Sequence, residues 1–541
     1  MTIDSALHSS KLSPAVSRGV VQPASRAGAK GRRPSTSKAA PEIIENATES
    51  QFVLRFVVPA READTLTAAI RVEAAHAQRC LSTGFDTADG RLSARGVFVS
   101  LCKRGSEWVQ VAVATTPDCA RLLVHEVDLG TRRRGVVPGL LPHLHDGTEA
   151  GAVLCAALGD ADDDSPLIAS FDIDATHLRR KVKLDEAVVE IAQVTGMITT
   201  DNTSTPFQEF EVRLVSGPVA ALFTVAREWS TRHGLCLGIA SNGERGARLA
   251  AGHAEGFPTT ATLPEAPFAD GGCFLRATLD SCLMQILANA GVIGDGTQDR
   301  HVIDQLRHGL ERLRTTIAEL APMTSGIDEA WDPVLKRTHQ ELASHHGATA
   351  LRAPLIQEMR AAGLGYALGS SHPRESRSPG AIVQDPEFQF TLLAILAYRH
   401  ALAPLFKQDH GTLKQMQRRF ADELVGCQDC VADAADNLRS LTTRRRARRH
   451  LDHLYRIATF ASPLYEQRHV DAFLVRCRVA QDAFAADSEH RSGLEALEDD
   501  GDGGTEVKLA RRWLAARVAD DRKACESLLR RVGKATAFWA R

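Results

Sequence analysis

The hydrophobic period of this chain changes once, and that change decides what it can fold into. From residue 47 to 252 the apolar runs are short, β-branched and bounded by turn residues: QFVLRFVVP, GVFVSLCKRG, EWVQVAVATT, LIASFDID, RRKVKL, AVVEIAQVTGM and FQEFEVRLVSG. Such runs predict a mostly antiparallel β half, with helices over 60–79 and 218–233. From 268 to 541 the texture becomes long amphipathic segments rich in Leu, Ala and Arg, such as HVIDQLRHGLERLRTTIAEL and VDAFLVRCRVAQDAFAAD. These predict helices that bury one stripe each. The Pro-punctuated stretch EGFPTTATLPEAPFADG, 255–271, reads as the hinge between the halves.

The expected organisation is a disordered basic tail over 1–46, a β domain over 47–252, a linker over 253–267 and a helical domain over 268–541. The tail, with AGAKGRRPSTSKAAP, has almost no apolar periodicity and reads as a solvated extension or a weak anion-binding or targeting arm. A chain of 541 residues is too long for one core, which fits this division.

Lys and Arg number 65 against 67 Asp and Glu, a net charge of -2, so no global field draws the protein to nucleic acid or membrane. Anion binding must come from local clusters. The sequence has no apolar run of about 18 residues and no signal-peptide pattern at its start, which makes a cytoplasmic protein without a membrane partner the expectation. Eleven Cys without regular spacing suit a reducing compartment. CQDC (427–430) reads as buried helical Cys, DADDDS (160–165) as a solvated acidic loop, and LEDDGDGGTE (497–506) as a flexible connector. The His pairs of ASHHGA and LPHLHDG have no carboxylate pattern around them.

Two finer patterns carry more information. In SQFVLRFVVP, Phe52, Leu54, Phe56 and Val58 share one face, while Gln51, Val53, Arg55 and Val57 share the other, which leaves a single cation among apolar residues. In the helical half, DQLRHGLERLRTTI (304–317) and RRARRHLDHLYRIA (445–458) superimpose without gaps, Arg307 on Arg448 and Leu313 on Leu454. A duplication producing two helical bundles would explain this match.

STGFDTADGRLSARGVFVSLCKRGSEWVQVAV, TPFQEFEVRLVSGPVAALFTVA and SNGERGARL resemble, in order and spacing, the strand pair, late acidic strand and closing element of the CYTH superfamily of triphosphate tunnel metalloenzymes. The helical half, with its duplicated Arg-rich helix and FASPLY, resembles the CHAD domain. The resemblance implies an α+β protein: an antiparallel β-tunnel or barrel followed by an all-α pair of helical bundles. It also implies triphosphate chemistry with a divalent metal in the first half and polyphosphate binding in the second.

The tunnel motifs are degenerate. Where the family opens with Glu-x-Glu-x-Lys, this chain has Gln51, Val53 and Arg55; Ser100 and Cys102 stand where two Arg are expected, with Lys103 and Arg104 nearby, and Val113 replaces a Lys. Of the acid-rich strands Glu190, Glu209 and Glu211 remain, while Val188, Val194 and Arg213 depart from the pattern; Asn242 replaces the closing Lys, beside Glu244 and Arg245. Mg²⁺ or Mn²⁺ prefers carboxylate oxygens, so any residual metal site would rest on Glu190, Glu209 and Glu211. Arg55 and Arg213 would be the residual tunnel cations, too few for a polyanion, with Arg55 either paired to a surviving Glu inside a filled barrel or kept as a residual phosphate contact.

In the first helical repeat Asp304 replaces the family's His, and Glu311 between Arg307 and Arg314 would neutralise that face through local pairs of about 0.2–0.5 kcal/mol each. The second repeat carries Arg444, Arg445, Arg446, Arg448, Arg449 and Arg456 with only Asp452 between them. These are either a solvated helix face or a site for polyphosphate or another polyanion, which Arg binds in bidentate fashion. The leading expectation is a catalytically impaired CYTH–CHAD protein that binds polyphosphate or a protein partner, with polyphosphate granules as a candidate location and nucleic acid as a non-specific competitor. The alternatives are a metal-dependent inorganic triphosphatase and a purely structural interaction protein.

Overall fold

A computed structural model describes residues 50–540, apart from 73–74, 134, 160–165, 254–257, 347–351, 365–376, 402–411 and 500–503. The basic tail, the acidic loop 160–165, the start of the hinge stretch and part of the acidic connector lie outside the described residues.

The β half contains β1 (Ser50–Val57), β2 (His76–Asp86), β3 (Val97–Arg104), β4 (Glu107–Thr115), β5 (Arg121–Thr131), β6 (Ile168–Leu184), β7 (Ala187–Thr199), β8 (Ser204–Ser216) and the short β9 (Cys236–Gly238). The strands follow the order β5-β4-β3-β2-β6-β7-β8-β1, and β1 closes the ring by pairing antiparallel with β5 through Ser50–Phe52. The result is an eight-stranded antiparallel barrel. Further along, β1 pairs with β8 on one edge and β9 on the other, so its backbone groups are used on both sides. Closure removes the exposed edges that an open sheet of this size would present.

Helices α1 (Ala63–Arg71), α2 (Arg91–Ala94), α3 (Glu149–Leu158), α4 (Val219–His233) and α5 (Asn242–Ala250) decorate the barrel. The helix expected over 60–79 stops at Arg71, and the chain enters β2 at His76. Ala, Gln and Arg there favour a helix locally, but β2 gains pairings to both β3 and β6, and tertiary pairing overrides that preference. IASFDID and RRKVKL are parts of one strand, β6, which pairs with β7 from Asp172 to Leu184.

The helical half runs α6 (Gly271–Gly294), α7 (Arg300–Leu320), α8 (Trp331–His346), α9 (Arg352–Ala361), α10 (Pro379–Val383), α11 (Pro386–Ala401), α12 (Leu413–Ala434), α13 (Leu441–Ala461), α14 (Gln467–Asp499) and α15 (Thr505–Gly533). Their starts are written locally. Asp270 and Asp299 cap α6 and α7 through backbone N–H groups, and Thr412 and Ser440 form capping boxes with Gln415 and Thr443. The duplicated helices bury matching stripes: Leu306, Leu310, Leu313 and Ile317 on α7, and Ala447, Leu451, Leu454 and Ala458 on α13. Among the described residues α6 is the one helix long and apolar enough to span a bilayer, and 72% of that stretch is buried inside the protein.

One hydrophobic cluster crosses the boundary between the halves. Leu54 and Phe56 of β1, Phe210 and Val212 of β8, and Leu222, Val225 and Trp229 of α4 share it with Leu279, Leu283 and Ile286 of α6 and Leu392 and Leu396 of α11. A second cluster holds α12 to α15 together and takes in Phe274 and Leu275 from the start of α6. Arg399 at the end of α11 locks the first boundary. Its guanidinium donates to Asp118 of the β4–β5 turn at 2.7 Å and to Asp280 of α6 at 2.6 and 2.7 Å.

All three side chains are nearly shielded from solvent, at 14%, 9% and 7% exposure. Truncating the cation strands two buried carboxylates, a loss of about 3–5 kcal/mol for a pair of this kind. Arg399→Leu is therefore expected to lower the urea midpoint of the full chain clearly; a midpoint equal to that of the parent would show that the clamp does not hold the halves together.

Candidate functional site

Alternation along β1 sends Gln51, Val53 and Arg55 into the barrel, where they line a cavity of about 220 Å³. The other face of the strand, Leu54 and Phe56, lies in the shared core. The barrel is hollow here, against the expectation of a filled one. Phe171 closes part of it. A Cβ at Gly84 would lie 2.2 Å from the Phe171 ring and one at Gly246 2.3 Å from it, so the ring seats only because both neighbours are glycine.

The cavity wall carries Arg55, Arg104, Arg179 and Arg213 against Glu126 and Glu211, a surplus of cations. This corrects the count made from sequence, which set Arg55 and Arg213 against three Glu. Arg104, expected only near the tunnel, and Arg179, which no motif singles out, supply the surplus. Arg104 shares its face with Ser100 and Cys102, and Arg179, which pairs across from His76, shares its face of β6 with His177. Arg104 makes a bidentate pair with Glu126, both contacts 2.7 Å. Arg55 Nε donates to Glu211 Oε1 at 3.2 Å, and Arg213 lies 3.6 Å from Glu211 Oε2. Burial works to raise the Glu211 carboxyl, but Arg55 and then Arg213 outweigh it and hold the group below the usual carboxylate range. His177 is pushed down to about 4, first by burial and then by Arg179, so it stays neutral at physiological pH.

The three acids expected to hold a metal do not converge. Glu209 is buried beside the closing helix, where its Oε1 accepts a hydrogen bond from Asn242 Nδ2 at 2.7 Å, while its Oε2 is buried without a partner. Burial, and then the charge of Glu211, push its carboxyl above the usual range. Glu190 sits in register opposite Lys181 and Arg213 and is not among the residues that line the cavity. Among the described residues no group of three or more His, Cys, Asp or Glu is arranged to hold a metal ion. Mg²⁺ and Mn²⁺ need several oxygen ligands around one point, and a single open carboxylate oxygen does not supply them. The residues present do not fit a divalent metal.

The helical arginines divide into committed and open groups. Arg307 pairs with Asp304 at 3.1 Å and Arg314 with Asp332 at 2.6 Å. Glu311 reaches across to Arg456 of the second repeat at 2.8 Å, so the local neutralisation expected around Glu311 is replaced by a bridge between the repeats. Arg444 is also structural, held 2.7 Å from the fully buried Asp487. Arg445, Arg446, Arg448 and Arg449 remain exposed on α13. Arg448 approaches Asp452 at 3.7 Å, Arg446 donates to His450, and Arg449 donates to the Arg445 carbonyl. Arg444, Arg445, Arg448 and Arg491 line a shallow pocket of about 150 Å³ with Glu495 at its edge. In CQDC, Cys427 is buried as expected but Cys430 is exposed.

No family model and no curated protein matches the sequence. Among solved structures, the chain is similar to the CHAD domain from the plant Ricinus communis, at 18% identity and TM-score 0.38, over 50% of this chain and 96% of that one. It is also similar to a Hippeastrum protein named as an adenylyl cyclase and described by a dominant triphosphatase activity, at 13% identity and TM-score 0.27, over 36% and 94%. A protein of Bacillus halodurans named as an adenylate cyclase aligns at 8% identity and TM-score 0.25, over 36% and 96%. The architecture, a closed antiparallel barrel followed by helices, is the one expected from the sequence.

The Arg55–Glu211 contact gives a direct test of the cavity's ion pairing. Arg55→Met leaves Glu211 with the more distant Arg213 alone and should cost about 3 kcal/mol. Arg55→Met combined with Glu211→Gln should recover part of that loss. Equal denaturant midpoints for the parent and Arg55→Met would mean that the pair contributes nothing.

Proposed function

We propose that this is a non-catalytic polyanion-binding protein whose ligand class is inorganic polyphosphate, bound chiefly through the second helical repeat. The observation that carries this reading is the exposed set Arg445, Arg446, Arg448 and Arg449 on α13, beside a first repeat whose Arg307 and Arg314 are already paired with carboxylates. Guanidinium groups with open donors can grip successive phosphates, whereas paired ones must first give up a carboxylate. A linear polyanion with condensed counterions binds in a strongly salt-dependent way, and nucleic acid would compete through its backbone without base recognition. A cytoplasmic setting, association with polyphosphate granules, and a protein partner acting alongside polyphosphate belong to the same proposal.

The barrel supports a second reading. Its cavity keeps a surplus of arginines, so a small phosphate anion could enter it. Phosphoryl transfer rests on positioning and electrostatic stabilisation by metal and cations together, and the carboxylates here are engaged by Arg and Asn. This points to contact without hydrolysis.

Retention on immobilised polyphosphate at two salt concentrations tests the main reading. The combined change of Arg445, Arg448 and Arg449 to Gln should abolish most retention, the combined change of Arg307 and Arg314 to Gln should remove less, and higher salt should weaken both. Retention that ignores salt, or that depends more on the first repeat, overturns the assignment. Triphosphate with Mg²⁺ or Mn²⁺ should release phosphate no faster than a heat-killed control; turnover of about 1 per second, in the ordinary enzyme range, would establish a triphosphatase instead.

A further inference from the structure

A charged cluster away from the barrel and from the open arginines of α13 joins three helices. His490 of α14 is buried, its side chain 8% exposed, and lies between two carboxylates. Its Nδ1 is 2.6 Å from Asp521 Oδ2 of α15, and its Nε2 is 3.0 Å from Glu358 Oε2 of α9. Arg517 of α15 reaches the other Glu358 oxygen at 3.2 Å, and the Trp513 ring meets the imidazole edge to face, with centroids 6.0 Å apart. Glu489, next to His490 on α14, keeps one buried oxygen without a partner. In the same region Leu355 and Met359 of α9 are buried in one small core with Leu497 of α14 and Val507 and Leu514 of α15.

This geometry fixes a protonation state. An ionised carboxylate only accepts hydrogen bonds, so each ring nitrogen must bring a hydrogen to its neighbour, and only the imidazolium carries one on both. Burial works to lower the proton affinity of His490, but the hydrogen bonds to Asp521 and then to Glu358 outweigh it and hold the group above its ordinary range. Burial raises the Glu489 carboxyl, with the charge of His490 acting against it. The buried His145 goes the opposite way: without such a pair of carboxylates, burial pushes it down to about 4.

Loss of the proton leaves one ring nitrogen presenting a lone pair to a carboxylate. The contact that yields is the one to Glu358. It is the longer of the two, and Glu358 is 41% exposed with Arg517 as a second partner, whereas Asp521 is 18% exposed. The α14–α15 pair does not depend on that contact, because Phe473, Cys477 and Phe484 share a separate core with Cys525 and Leu529.

We propose that His490 is a proton-operated latch for α9: as the imidazolium it ties α9 to the α14–α15 pair, and on losing its proton it releases Glu358 and loosens that helix. Because the folded group holds its proton more tightly than the unfolded one, the latch is fully closed below about pH 6.5 and opens as pH rises through the raised value.

Deuterium exchange on the full chain, corrected for the intrinsic pH dependence of amide exchange, tests this. From about pH 6 to about pH 9 the protection of Arg352–Ala361 should fall about fivefold relative to that of α6. His490→Gln, which carries no charge at either pH, should leave α9 weakly protected throughout, with no fall. Glu358→Gln alters a half-exposed position and should remove the fall as well, so it decides the matter where His490→Gln does not fold. A parent whose α9 protection follows that of α6 across this range overturns the proposal, as does a fall of the parent's size in Glu358→Gln.

Discussion

The outward face of β1 and the helices packed on it hold the molecule together. Leu54 and Phe56 point away from the barrel into a core that continues through α4 to α6 and α11. Phe56 packs on Phe210, which stacks on Trp229 at 5.3 Å between centroids. Because the same strand sends Gln51, Val53 and Arg55 inward, the shared core fixes the register that aims these residues into the cavity. Arg399 adds direction to an otherwise non-directional apolar contact by joining the β4–β5 turn to α6. The two halves therefore do not behave as beads on a hinge.

That arrangement explains how the barrel tolerates an altered interior. A cavity wall with four arginines would repel itself if left uncompensated. Glu126 answers Arg104, Glu211 answers Arg55 and Arg213, and a neutral His177 lies 3.3 Å from Arg179. Glu126 and Glu211 are spent on these pairs, while Glu209 is held by Asn242 beside the closing helix. In the helical half the same logic separates Arg444 and Arg456, which join helices to one another, from the neighbouring exposed arginines on α13.

Much of the fold was legible in the sequence because it depends on local period. Alternation in SQFVLRFVVP identified the inward and outward faces of β1, and the matched spacing of Leu313 and Leu454 identified the repeated helices. The site was less legible because charge pairing is non-local. Glu311 meets Arg456 from another helix, and Arg104 meets Glu126 from two strands away; neither follows from spacing along one element. The cavity depends on how the Phe171 ring seats between Gly84 and Gly246, residues far apart in the chain. The exposed arginines of α13 could be listed from sequence, but which of them were already committed could not.

The central claim is that the barrel's acids do not converge on a divalent-metal site. Calorimetric titration of the full chain with Mn²⁺ at neutral pH, without phosphate, tests it most directly. The account predicts no saturable binding tighter than about millimolar, the range of weak oxygen-ligand sites. A one-to-one site of about micromolar affinity that disappears in Glu209→Gln or Glu211→Gln would contradict it.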